Sequence, residues 1–349
     1  MAFDCLEIRV SLLAAMLSRF KAYTVNMRLL VTGGYGFIGS HFVESAVNKG
    51  HEVIVVDNLT YAGNLNNLGK VANSRFKFFK LDIANSKLLI STIAQFKSFD
   101  CVINFAAETH VDRSILNSEP FVKSNINGLV NILELVKNGV VKKMIQISTD
   151  EVYGTINEGS WDENAKLDPR SPYSASKASG DLLCLAYINT YKLNVTITRS
   201  ANNYGPRQSL EKFIPNSISK VLSGMDIPVY GDGSNRREWL YVLDHIEAIM
   251  KIVEADAVQN SVYNIGGVEY SNIEVARLIL KHFNSDQNKI KFTPDRLGHD
   301  FRYSVSNTKI SSEFDWKPKH SFIESLKETI DWYVSNPNWM ESCRLRLIQ

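Results

Sequence analysis

The sequence predicts a doubly wound α/β fold: a parallel sheet covered on both faces, with a smaller, interrupted α/β substrate-binding domain beside it. Three observations predict it. Short apolar runs rich in β-branched and aromatic residues alternate with longer stretches of helical spacing through the first two hundred residues, which is the pattern of βαβ units. A glycine cluster, VTGGYGFIGS, follows the first apolar run and opens the first helical stretch. After Tyr204 the alternation loosens into loop-like segments with Gly, Pro and Arg, so part of the chain lies outside the main sheet.

Six strands are expected, in order, at RLLVT (28–32), VIVVD (53–57), FKFFKLD (76–82), CVINFA (101–106), KMIQIST (143–149) and NVTITRS (194–200). Between them FIGSHFVESAVNKG and VNILELVKNG carry helical spacing. Beyond Tyr204, YGPRQ, YGDGSNRRE and TPDRLGHD read as loops, while REWLYVLDHIEAIMKIVEA (237–255) returns to strand then helix and is expected to rejoin the sheet. The chain of 349 residues has room for two lobes. The expected division assigns 27–205 and 238–262 to a Rossmann-type dinucleotide-binding domain, and 206–237 and 263–340 to the second lobe.

Residues 1–26 form a separate extension. VSLLAAML has the apolar character of a signal-peptide core, but Asp4 and Glu7 precede it, where a signal peptide needs net positive charge. The first strand begins almost at once, at Arg28. The extension reads as a loosely attached segment, or as the product of an upstream start codon with Met27 the natural start. Either way a chain beginning at Met27 is expected to fold and react normally. Loss of cofactor binding in that shortened chain would show the extension to be structural.

Composition narrows the function. Lys plus Arg number 39 against 37 Asp plus Glu, too even a balance for a nucleic-acid binder. Cys5, Cys101, Cys184 and Cys343 are scattered with no CxxC pair, the usage of reduced thiols in a cytoplasmic protein rather than of a disulfide framework or a metal site. No apolar run is long enough to span a bilayer.

Gly33, Gly36 and Gly39 permit a tight turn and close backbone approach to a pyrophosphate, which then sits on the positive helix N-terminus; Phe37 and Ile38 lie between them. Glycine clusters alone are often only turns. Here Asp57 also ends the next strand, eighteen positions beyond Gly39. A carboxylate there accepts from the ribose hydroxyls of NAD and repels the extra phosphate of NADP. Asn58 follows it, with no Arg to welcome that phosphate. A turn cap is the blander role for Asp57. Asp82 and Ile83 would flank the adenine, and Phe105, Ala106 and Ala107 end the fourth strand beside the cofactor.

SPYSASK holds Tyr173 and Lys177 at i and i+4, on one helix face. A phenol titrates near pH 10, and acting as a base near pH 7 needs a shift of about three units, or about 4 kcal/mol. An adjacent ammonium and a positive nicotinamide can supply much of that. Thr149, ending the preceding strand, would offer its hydroxyl to the substrate oxygen that Tyr173 deprotonates. The adjacent acids Asp150 and Glu151 sit where a buried strand ends, an expensive place for carboxylates unless something uses them.

Together these residues resemble the extended short-chain dehydrogenase/reductase superfamily, from Met27 to about Trp332. The motifs LTYAGNLNNL, AAETHVDRSI, STDEVYG, SPYSASKAS, NNYGP, REWLYVLDH and DRLGHDFRY narrow the resemblance to the dTDP-glucose 4,6-dehydratases. The resemblance implies an NAD-dependent lyase that oxidises C4 of a nucleotide-linked glucose, eliminates water across C5 and C6, and returns the hydride to C6. It implies Glu151 as the base at C5, Asp150 as the acid at the C6 hydroxyl, and Tyr173, Lys177 and Thr149 at C4. Asn203 is implied at the cofactor. Thr109, Thr149, Asn202, Lys212, Phe213, Pro228, Val229, Tyr230, Arg237, Asn272, Asp295, Arg296 and His299 are implied at the substrate. The forks of Arg237 and Arg296 suit phosphate oxygens, though each taken singly is an ordinary surface charge. Leu297 stands where the family has proline, and TINEGSW after Gly154 is short. A homodimer through helices around 118–138 and 173–191 is also implied. The same reaction on UDP-glucose, an epimerase or decarboxylase, and a non-catalytic NAD-binding sensor are the alternatives. Neither of the last two needs the acid pair.

Overall fold

The computed structural model describes residues 26–69, 71, 74–255 and 261–348, so the expected extension 1–26 lies outside the described residues except for Asn26. In chain order the strands are β1 Arg28–Thr32, β2 Glu52–Asp57, β3 Phe76–Lys80, β4 Phe99–Asn104, β5 Val141–Thr149, β6 Val195–Ser200, β7 Asn202–Tyr204, β8 Ile227–Tyr230, β9 Arg236–Tyr241, β10 Val262–Ile265, β11 Val268–Ser271 and β12 Ile290–Thr293. Seven of them form one parallel sheet in the order β3-β2-β1-β4-β5-β6-β10. The helices are α1 Phe37–Asn48, α2 Ser86–Ile93, α3 Val111–Leu116, α4 Glu119–Val122, α5 Leu129–Lys137, α6 Pro172–Tyr191, α7 Phe213–Leu222, α8 Val242–Glu254, α9 Asn272–His282, α10 Thr308–Phe314, α11 Phe322–Ser335 and α12 Pro337–Ile348. A π-helical turn, Lys123–Gly128, joins α4 to α5.

The strands read as near-continuous apolar runs because both faces of the sheet are buried. Leu29, Val31, Val53 and Val55 point to one face, against Phe42 of α1 and Ile249 of α8. Their alternates Leu30, Ile54, Val56 and Val102 point to the other, against Leu89 of α2, Leu133 of α5 and Cys184 of α6. Each such side chain, fully buried, is worth about 1.5–3 kcal/mol. Cys101, Cys184 and Cys343 are all buried and unpaired among the described residues. No helix among them is long and apolar enough to cross a membrane.

The stretch 237–255 departs from its reading. Its strand β9 does not rejoin the large sheet; it pairs with β7 and β11 in a separate three-stranded sheet. Only its helix α8 returns, packing beside α1. The seventh strand of the large sheet is β10, with four residues. A further two-stranded sheet, β8 with β12, completes the second lobe.

The sheet order reverses between β1 and β4, which leaves a crevice at the carboxyl ends of these strands, the place where open α/β sheets bind ligands. Two glycines are obligatory there. Gly33 has φ +69°, and a Cβ on it would lie 2.6 Å from the Ala106 amide nitrogen. A Cβ on Gly39 would lie 2.2 Å from the Gly33 carbonyl oxygen.

Candidate active site

The crevice has two ends. At the first, Gly33, Gly36, Asp57, Asn58, Asp82 and Ile83 line a cavity with Phe105, Ala106 and Ala107 on its β4 side. Helix α1 starts at Gly36 with no side-chain cap. The amides of Phe37, Ile38 and Gly39 in its first turn therefore have no intrahelical acceptor and suit an anion. Asp57 is buried; its Oδ2 accepts from the Tyr35 amide at 2.9 Å and its Oδ1 from the Leu59 amide at 2.7 Å. The turn-cap role and a ribose-facing role thus coexist, since each carboxylate oxygen keeps a further lone pair. Burial raises the Asp57 carboxyl above its ordinary value, and these two amides and the charge of Arg346 oppose that. These features fit a dinucleotide.

The second end is the reacting centre. Strand β5 ends at Thr149, which caps a 3-10 turn over Asp150–Tyr153 by accepting from the Glu151 amide at 3.3 Å. Helix α6 begins with a capping box: Ser171 Oγ accepts from the Ser174 amide at 3.1 Å, and Ser174 Oγ from the Ser171 amide at 3.0 Å. The Tyr173 amide donates to Ser114 Oγ at 3.1 Å, and Lys177 Nζ donates to the Ile147 carbonyl at 2.6 Å. These bonds aim Tyr173 and Lys177 at the cavity that Thr149, Glu151, Asn202 and Asn203 also line.

Glu151 is shared with a third cavity. Thr109, Lys212, Phe213, Pro228 and Tyr230 line it on one side, with Asn202 at the junction. Arg237, Asn272, Arg296 and His299 close the other. Two buried polar atoms in its walls have no hydrogen-bond partner among the described residues: Asn202 Oδ1 and Arg296 Nε. Unpaired buried polar groups are costly, and a polar ligand would satisfy them. Three expected residues are not in the walls. Val229 is buried in the core. Asp295 braces His299, accepting at 2.6 Å from its Nδ1. Asp150 is buried and lines neither cavity.

The two acids differ in surroundings. Burial first, then the charges of Glu151 and Glu238, hold the Asp150 carboxyl well above the carboxylate range. Burial also raises Glu151, but Arg296, Arg237 and Lys212 pull it back. Environments that separate two carboxyls assign one as acid and one as base. The phenol has surroundings of its own. Burial, Glu151 and Asp150 raise Tyr173, and only Thr149 lowers it appreciably; Lys177, itself brought down to about 8 by burial, is not among the main influences. An oxidised nicotinamide bound beside it would add a positive charge that lowers it.

A family model described as GDP-mannose 4,6 dehydratase matches residues 30–329. The dTDP-glucose 4,6-dehydratase of Streptomyces niveus is 45% identical over 323 residues, 90% of this chain and 95% of that one. The chain belongs to the dTDP-glucose 4,6-dehydratase family. Among solved structures, a dTDP-glucose 4,6-dehydratase of Streptomyces venezuelae with NAD and TYD bound is 43% identical with a TM-score of 0.87, over 91% of this chain and all of that one. A UDP-glucose 4-epimerase of Thermotoga maritima shares the architecture at 30% identity and a TM-score of 0.83, over 89% of this chain and 100% of that one.

Several wall residues of this dehydratase-family chain escaped the sequence reading. Thr60, Ala62 and Gly63 line the cofactor end; they lie in LTYAGNLNNL, a motif quoted but given no residue roles. Glu211 lines both inner cavities, and its only sequence signal was its place before Lys212. Arg346 had none. It comes from α12, donates to the Gly63 carbonyl, and places an arginine near Asp57 that local sequence denied. Asp57 is the charge expected to discriminate between the dinucleotides. Asp57→Asn is expected to cost about tenfold, ~1.4 kcal/mol, in the preference for the unphosphorylated dinucleotide. Titration of both dinucleotides into the variant checks it; an unchanged ratio would assign discrimination elsewhere.

Proposed function

We propose that the protein dehydrates dTDP-glucose to dTDP-4-dehydro-6-deoxy-glucose with NAD as a tightly held cofactor. The observation that carries the reading is the adjacent acid pair, buried Asp150 and cavity-lining Glu151, whose members meet different charges near Tyr173. NAD, when bound, would supply reversible hydride chemistry, oxidation at C4 and reduction at C6. The Tyr173 phenolate takes the C4 hydroxyl proton, with Thr149 holding that oxygen. The ketone acidifies the neighbouring C5 hydrogen, which Glu151 removes as base. Asp150, held protonated, gives its proton to the C6 hydroxyl, which leaves as water. Glu151 then returns its proton to C5. Lys212 steadies the junction by donating to the Thr109 carbonyl at 2.7 Å.

Gly33, Gly36, Gly39 and Asp57 would hold the dinucleotide; Arg237 and Arg296 would hold the nucleotide phosphates. Segments 27–205 and 238–262 would serve the cofactor, and 206–237 and 263–340 the sugar nucleotide, so that the division passes through β9 just after Arg237. The reading includes a cytoplasmic homodimer built on α4, α5 and α6, where Val122, Leu182 and Tyr191 present exposed apolar side chains.

The test is incubation of the purified protein with dTDP-glucose and, separately, UDP-glucose. A 4-keto sugar from dTDP-glucose without added reductant is expected. A C4 epimer in its place would make the protein an epimerase, and faster turnover of UDP-glucose would reassign the base.

A further inference from the structure

The loop after β2, residues 58–67, runs along the cofactor end of the crevice. Asn58, Thr60, Ala62 and Gly63 line the cavity there, and Ala62 also lines the reacting cavity. Leu59, among them, has φ +52°. Side chains rarely adopt that left-handed conformation, and it persists only where the surroundings enforce it.

The enforcing contacts come from α12, at the far end of the chain. The Arg346 guanidinium donates to the Gly63 carbonyl. The Asn66 side-chain amide donates to Ser342 Oγ at 3.3 Å. The Trp339 indole donates to Asn67 Oδ1 at 2.7 Å, in a buried bond. Asn67 is the node of this network. Its Nδ2 donates to the Tyr35 carbonyl at 2.9 Å, and its own carbonyl accepts from Arg207 Nη1 at 3.0 Å. Tyr35 lies in the glycine turn between Gly33 and Gly36, and its amide donates to Asp57 Oδ2. One amide side chain thus ties α12 to the turn and the carboxylate that fit a dinucleotide. On its other side α12 meets the second lobe, where Cys343 Sγ accepts from the Leu210 amide at 3.5 Å.

We propose that α12 is a latch on the bound dinucleotide: through Trp339 and Arg346 it holds the 58–67 loop along the cofactor cavity, so that NAD stays on the enzyme from one turnover to the next. The inference rests on the reading of NAD as a tightly held cofactor and deepens it. Neither Trp339 nor Arg346 lines a cofactor-side cavity; both are positioning residues that act through the loop. Opening the loop breaks the buried Trp339–Asn67 bond and leaves Asn67 Oδ1 unpaired, which opposes opening. The chemistry needs this retention. Release in mid-cycle would leave the sugar oxidised at C4 with no hydride for C6, and a reaction without net redox change never requires the cofactor to leave.

The test follows release of labelled NAD from the loaded enzyme into an excess of unlabelled NAD. Trp339→Phe removes the indole donor and keeps a ring to pack against Trp332 and Tyr333, whose centroids lie 5.1 and 5.9 Å from that of Trp339. Arg346→Met removes the other donor. Each should speed release about five- to tenfold, the worth of one hydrogen bond, and the double variant should exceed either. Arg346→Lys still reaches the Gly63 carbonyl and should release NAD close to the unaltered rate. With NAD saturating, kcat should stay within about twofold while the NAD concentration needed for half activity rises. Melting separates a latch from a purely structural helix. A structural role lowers the Tm of NAD-free and NAD-loaded protein alike, whereas a latch shrinks the difference between them. Release from the double variant within about twofold of the unaltered rate, or an unchanged Tm difference, would overturn the latch alone. Failure of the unaltered enzyme to retain NAD would overturn the tight-cofactor reading and the latch with it.

Discussion

Tyr173→Phe is expected to stop the enzyme before any reduced nicotinamide forms. The phenyl ring keeps its edge contact with Phe121, whose centroid lies 6.3 Å away, and the backbone bond to Ser114 is untouched. The variant should therefore fold. What it loses is the proton acceptor for the C4 hydroxyl. A general base is worth about a hundred- to ten-thousand-fold, and nothing else at that end of the cavity replaces it: Lys177 is committed to the Ile147 carbonyl. Nucleotide binding should change little, because Tyr173 lines the cofactor side and not the cleft of Arg237 and Arg296. Near-ultraviolet absorbance after mixing with dTDP-glucose should stay flat. Accumulation of reduced cofactor in this variant, or turnover within tenfold of the unaltered enzyme, would remove Tyr173 from the first step.

Ser114 and Phe121, which seat Tyr173, lie more than fifty positions from it and were not legible in advance; Tyr173 and Lys177, four positions apart, were. The large sheet was legible for the same reason. Its strands are buried on both faces and read as unbroken apolar runs, and the glycine turn, the Tyr-Lys spacing and the acid pair are local patterns. The second lobe was not, because its elements are short and pair across long separations. Strand β9 looks from sequence like another member of the main sheet, and only its pairing, parallel with β7 and antiparallel with β11, Tyr270 opposite Arg237, places it elsewhere. Arg346 and Trp339 show the limit most plainly. The Trp339 indole donates to Asn67 Oδ1 at 2.7 Å, and Arg346 meets Gly63. No periodicity or spacing links α12 to the loop after β2. Tyr173 is a third case: burial and the neighbouring acids Glu151 and Asp150 raise its phenol, which the i+4 spacing does not show.

Glu151→Gln and Asp150→Asn are expected to fail after the step that Tyr173→Phe blocks, and to fail differently from each other. Glu151→Gln keeps the shape but cannot accept the C5 proton. C4 should be oxidised and elimination should stall, so that reduced nicotinamide builds up to nearly one per site. Asp150→Asn should also oxidise C4. Its amide can donate a hydrogen bond to the C6 hydroxyl but cannot deliver a proton, so water should leave slowly and the reduced form should build up and then decay. Each loss is worth about a hundred- to ten-thousand-fold. The pH profiles should separate them as well. Asp150 acts protonated, and its carboxyl is held up by burial and by Glu151 and Glu238, so activity through it is full at low pH and is lost as pH rises through its raised pKa. Glu151 acts ionised, so activity through it is lost as pH falls through its own pKa, which Arg296, Arg237 and Lys212 keep from rising further. The acid limb should therefore remain in Asp150→Asn while the limb due to Asp150 disappears. Substrate carrying deuterium at C4 should deliver the label to C6 within one enzyme molecule. If that label washes out, or if both variants turn over normally, Asp150 and Glu151 are no more than a cap on the end of β5.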